Sequence, residues 1–119
     1  MNTNELRERL DALFPQLVDE LSQLVAIPSV SSDPSHAADV DRSAEHIRSR
    51  FEALGLDAQI HSVTTPEGVQ GKPAILARSP HIEGAPTVLL YAHHDVQPTG
   101  DLARWHSDPW TTVVKGDRI

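Results

Sequence analysis

Two imidazoles and a carboxylate stand side by side at His93, His94 and Asp95. Side chains alternate faces along extended backbone, so His93 and Asp95 point one way and His94 the other. A histidine and a carboxylate on one side form the pair common in zinc sites. One ring nitrogen binds the metal, while the carboxylate holds the other N–H and fixes the tautomer. On that chemistry His93 is the candidate metal ligand and Asp95 the catalytic-site group that orients it. The competing reading is a surface turn of solvated polar residues, since a His-x-Asp recurs by chance.

The segment that delivers these residues favours the first reading. Residues 87–91 carry no charge and are β-branched, aliphatic or aromatic, which suits a strand covered on both faces. Pro98 then forbids further ladder pairing. Ligand sites in open α/β sheets lie beyond the carboxyl ends of strands, which is where His93 falls.

Tyr91-Ala92-His93-His94-Asp95-Val96-Gln97-Pro98 resembles the first metal-binding motif of the dinuclear zinc exopeptidases. That family includes aminoacylases, carnosinase-type dipeptidases, succinyl-diaminopimelate desuccinylases and glutamate carboxypeptidases. Its usual motif is Gly-His-x-Asp-Val-x-Pro, and the Val-Gln-Pro ending is closest to the dipeptidase branch. Ile27-Pro28-Ser29-Val30-Ser31, Leu54-Gly55-Leu56 and Trp105-His106-Ser107-Asp108-Pro109-Trp110 fit the same pattern in order and spacing. Ala92 stands for the usual Gly and Trp110 for the usual Phe, both mild departures.

The chain has 119 residues, room for one small domain with a modest core. Its 17 acidic and 10 basic side chains give a net charge of −7, which argues against nucleic acid or an anionic membrane as partner. With no cysteine there is no disulfide, thiolate nucleophile or thiolate metal site. The polar start, Met1 to Glu5, lacks the apolar core of a signal peptide, and no run approaches a span of about 20 apolar residues. A cytoplasmic location is the expectation.

In chain order, Leu6, Leu10, Leu13, Leu17, Leu21 and Leu24 recur at helical spacing and predict a helix with one core-facing stripe. Pro15 is expected to kink that helix or split it near Asp11. Residues 27–36 read as a loop, which the resemblance places near the mouth of the active site. A second helix is expected from about Ala38 to Leu54, with Val40, Ala44, Ile47, Phe51 and Leu54 buried and Gly55 closing it in the left-handed conformation. Residues 57–63 and 73–78 read as strands joined through the turn Pro66-Glu67-Gly68, with residues 87–91 the third and most buried strand. Trp105 and Trp110 are expected to plug their loop around Pro109. Residues 111–114 read as a last strand, followed by a hairpin turn at Lys115-Gly116-Asp117-Arg118. His36, His61, His81, His106, Asp101 and Asp108 are assigned no role.

The resemblance implies an α/β fold: the N-terminal part of an α/β/α sandwich catalytic domain with a mixed sheet, the smaller inserted domain not present. Residues 1–119 would be an incomplete domain. In the family a Tyr-Gly-Arg-Gly stretch and an Asp-Asp-Lys-Gly aspartate bridging two zinc ions come next. The full-length enzyme would be a metallo-dipeptidase or exopeptidase that hydrolyses an amide bond in a small peptide or N-acyl amino acid with a two-metal-activated water. Its cofactor would be Zn, with Co or Mn as alternatives, and a homodimer is compatible with the resemblance. One imidazole cannot hold catalytic zinc, which usually has three protein ligands, so the chain alone is expected to be inactive. Left alone, its leucine stripe and strand edge would favour self-association. The alternatives are a non-catalytic α/β binding module that keeps the motif as a relic, and a fragment completed by a separate chain.

Overall fold

A computed structural model describes residues 2–119. They form two compact units: residues 27–100, and a unit made of the N-terminal segment to Ala26 with residues 101–119. Helices and strands are mixed, as expected of an α/β chain.

The central unit is built on α2 (Ala37–Ala53), which packs against β1 (Asp57–His61) and β2 (Ala74–Arg78). The strands are antiparallel, with Ala58 opposite Ala77 and Ile60 opposite Ile75 on one face. Two strands alone are marginal in water, and the helix supplies the apolar surface they need. Val40 and Ala44 on α2 and Ala58 on β1 are buried, Val40 to 1 % exposure. Further along the expected stripe, Ile47 and Phe51 are half-buried, while Leu54 is exposed.

The end of α2 follows from its sequence. Gly55 takes φ +80°, its N–H donates to Glu52 O at 2.9 Å, and Leu56 N–H donates to Phe51 O at 3.0 Å. These are the two hydrogen bonds of a Schellman cap, and only glycine enters that backbone region without a Cβ penalty. Between the strands, Gly68 N–H donates to Thr65 O at 2.9 Å, turning the chain at Pro66-Glu67-Gly68 as read. A parallel bridge joins Val30 to Val96, the only parallel pairing among the described residues.

The run at 87–91 departs from expectation. It forms no strand, and Leu89, Leu90 and Tyr91 are 86, 88 and 90 % exposed. A strand buried on both faces needs ladder partners and covering helices, and no described segment supplies either.

The other unit contains α1 (Thr3–Val25), which starts in a capping box. Asn2 Oδ1 accepts from Glu5 N–H and Glu5 Oε2 accepts from Asn2 N–H, both at 3.0 Å. That box closes two of the orphan donors at the helix start. The helix continues through Pro15, so the expected split is not found. Losing one helical hydrogen bond, roughly 3 kcal/mol with its clash, does not end a helix with a ladder on both sides.

The leucine stripe is present but not buried. Leu6, Leu10, Leu13, Leu17 and Leu21 are all exposed. Trp105 is also exposed, so the aromatic plug forms only in part, around the half-buried Pro109 and Trp110. Residues 111–114 form no strand, but Lys115 and Arg118 pair across the turn read at 115–118.

Candidate functional site

The candidate site belongs wholly to the central unit. Its backbone is anchored by the 27–31 loop. Ser29 N–H donates to Ile27 O at 2.7 Å and Val30 N–H to Pro28 O at 2.8 Å, folding the loop into tight turns. Ser29 and Val30 are buried. From there Ser29 Oγ donates to His94 O at 2.9 Å, and Ser29 O accepts from Val96 N–H at 3.0 Å. The motif backbone is thus held on both sides of Asp95.

His93 and Asp95 lie on the same side, as alternation requires. His93 Nδ1 is 3.1 Å from Asp95 Oδ1 and 2.9 Å from Asp95 O. Both partners are acceptors, so Nδ1 carries a proton, and in the neutral ring Nε2 keeps its lone pair. The ring is 75 % exposed and Nε2 makes no hydrogen bond among the described residues.

Ser31 completes the pair from the far side, with Oγ donating to Asp95 Oδ2 at 2.5 Å. That hydroxyl is the main reason the Asp95 carboxyl is held below its ordinary range. Partial burial works against it, and His93 adds a smaller downward push.

His94 turns the opposite way and is used up structurally. Its Nε2 is 3.2 Å from Pro73 O, and its Nδ1 is 3.1 Å from Ser43 Oγ. A carbonyl only accepts, so Nε2–H donates to Pro73 and Nδ1 accepts from the Ser43 hydroxyl. The neighbouring histidines therefore hold opposite tautomers. His94 ties buried Ser43 on α2 to the residue that leads into β2.

The residues left without a role have local partners or none of use to a metal. Asp108 Oδ1 accepts from Trp110 N–H at 2.9 Å and Asp101 Oδ1 from Ala103 N–H at 3.0 Å, both in short turns. His36 sits at the start of α2, 2.7 Å from Asp39 Oδ2. No group of three or more His, Cys, Asp or Glu suited to one metal ion occurs among the described residues.

Sequence reasoning missed Ser29, Ser31 and Ser43 as parts of this arrangement. The first two lay in a loop already placed near the site mouth, but nothing in their spacing names a partner more than sixty residues away.

No protein-family model matches the chain. Curated relatives do. The cysteinylglycine-S-conjugate dipeptidase of Corynebacterium striatum is 34 % identical over 94 residues, 79 % of this chain and 20 % of the relative. The Cys-Gly metallodipeptidase DUG1 of Saccharomyces cerevisiae is 31 % identical over 115 residues, 90 % of this chain and 24 % of the relative. The solved structure of the dipeptidase Dug1p from Saccharomyces cerevisiae superposes with a TM-score of 0.82 at 30 % identity, covering 91 % of this chain and 24 % of that one. The chain thus spans a fifth to a quarter of the length of the relatives it matches. In sequence and backbone the chain is thus similar to part of these metallodipeptidases, in line with the dipeptidase-like branch its motifs resemble.

Proposed function

We propose that residues 1–119 are the N-terminal portion of the catalytic domain of a zinc metallodipeptidase. The complete protein would hydrolyse the amide bond of small peptides, with Cys-Gly, the substrate in the relatives' names, the first candidate. One observation carries the reading: the Nδ1 edge of His93 is occupied by Asp95 while its Nε2 edge is open. The exposed run at 88–91 supports an incomplete domain, since apolar residues in such number ordinarily pack against further protein.

The residues present fit one ligand position of a metal site. His93 Nε2 would bind the ion, and Asp95, taking the Nδ1 proton, fixes the ring orientation and raises the basicity of the donating nitrogen. Bound in the complete enzyme, a pair of zinc ions, or cobalt or manganese in their place, would polarise the scissile carbonyl and lower the pKa of an attacking water. His94 contributes by holding α2 against the entry to β2. With one imidazole on offer, the chain by itself is expected to show no peptidase activity.

The test uses a longer protein that carries this sequence, assayed on Cys-Gly, other dipeptides and N-acyl amino acids with each metal supplied. His93→Ala is expected to lower kcat/KM by more than about 100-fold and Asp95→Asn by about 10- to 100-fold. His94→Ala is expected to lose less per folded molecule. Equal losses at His93 and His94 would refute the assignment.

A further inference from the structure

We infer that Ser31 is the positioning residue of the His93–Asp95 pair, setting through the Asp95 carboxylate which ring nitrogen His93 presents outward. This rests on the pair assignment made above and adds the group that holds the carboxylate in place. Ser31 Oγ donates to Oδ2 at 2.5 Å, while Oδ1 faces His93 Nδ1 at 3.1 Å. Each oxygen of the carboxylate has its own donor, so the group cannot rotate without breaking a hydrogen bond.

The backbone makes this meeting specific. Val30 and Val96, the next residues along each segment, form the parallel bridge, and Ser29 closes it from the other side through Val96 N–H and His94 O. Ser29 and Val30 are buried, so Ser31 projects from a fixed loop rather than a free one. Removing the hydroxyl leaves the carboxylate turning in its site. The turning carboxylate would meet Nδ1 for only part of the time, leaving the Asp95 carbonyl, 2.9 Å from Nδ1, as the one fixed acceptor that favours the Nδ1–H tautomer. His93 would then spend part of its time with Nε2 protonated, unable to donate its lone pair to a cation.

The tautomers can be read without metal or activity, by long-range 15N–1H correlation of the histidine rings in the labelled chain near pH 8.5. In the parent chain His93 is expected protonated on Nδ1 and His94 on Nε2. In Ser31→Ala the His93 pattern is expected to move toward mixed tautomers. The ratio can change by up to about tenfold, the span one hydrogen bond of about 0.5–1.5 kcal/mol allows. His94, held by Ser43 and Pro73, stays fixed and monitors the local fold. Ser31→Thr, which keeps the hydroxyl, restores the parent pattern. The inference is overturned if His93 is unchanged in Ser31→Ala, if His93 and His94 shift together, or if threonine behaves as alanine. Asp95→Ala separates the two levels. If it leaves His93 unchanged, the pair assignment falls. If it shifts His93 while Ser31→Ala does not, the pair stands and the role of Ser31 falls.

Discussion

The two adjacent histidines should part company when each is truncated. His94→Ala deletes two hydrogen bonds, to Ser43 Oγ at 3.1 Å and Pro73 O at 3.2 Å. At about 0.5–1.5 kcal/mol each, their loss costs roughly 1–3 kcal/mol. Ser43 is buried, and the acceptor left to its hydroxyl is the carbonyl of residue 94, 3.5 Å away. So long a contact recovers little, and about 1 kcal/mol of desolvation stays uncompensated. The sum is roughly 2–4 kcal/mol. His93→Ala removes an exposed ring whose hydrogen bonds reach only two residues along the chain, a loss of about 0.5 kcal/mol or less. The assay is urea unfolding followed by far-ultraviolet circular dichroism at low protein concentration. With a slope of about 2 kcal/mol per molar, the midpoint should fall by about 1–2 M for His94→Ala and under about 0.5 M for His93→Ala. A His93→Ala chain as destabilised as the His94→Ala chain would refute this division of labour.

Two further outcomes are expected. Gly55→Ala places a Cβ at φ +80°, where no neighbouring atom crowds it, so the cost is backbone strain alone. Melting should report a loss of about 1–2 kcal/mol, and an unchanged midpoint would remove the case for the Schellman cap. The second concerns acid. Asp33 is held below its ordinary 3.8 mainly by the Ser35 hydroxyl and amide, whose hydrogen bonds favour the charged form. A depressed folded-state pKa means the unfolded chain binds the proton first. The stabilisation is therefore present above about 3.8 and is lost as pH falls through the lower folded value. Asp33→Asn should flatten the stability profile in that acid window, and an identical profile would count against the hydrogen-bond origin of the shift.

How much could be read beforehand varied with where each residue's partners lie. The spacing of Val40 and Ala44 and the glycine at 55 set out α2 to within a residue, because helix pattern and cap are both local. The two strands and their Pro66-Glu67-Gly68 turn were also legible, being neighbours in sequence, although the first strand ends at His61 rather than at Val63. The exposed leucines of α1 and the run at 88–91 were not, since composition speaks of burial without naming what does the burying. At the site, alternation was enough to put His93 with Asp95 and turn His94 away, although no ladder forms there. Their chemical roles remain the proposal made above. The role of Ser31 escaped notice because a serine in a serine-rich loop carries no periodicity. Only the fold brings it to Asp95.

The crossing from the 27–31 loop to the motif also bears on the order of folding. Ser29 and His94 are separated by 65 residues, Ser31 and Asp95 by 64. Closing a flexible loop of that length costs about 3.7 kcal/mol in chain entropy, from (3/2)RT ln n, before any constant. The three cross-links, from Ser29 Oγ, Ser29 O and Ser31 Oγ, return about 1 kcal/mol each. They cannot close the loop ahead of the structure between them. Once α2 has docked on β1 and β2, most of those residues are already ordered and the remaining closure is short. The crossing between residues 29–31 and 94–96 is therefore expected to form after the hairpin and to open before it, and the Val96 amide should exchange with solvent before those of the hairpin.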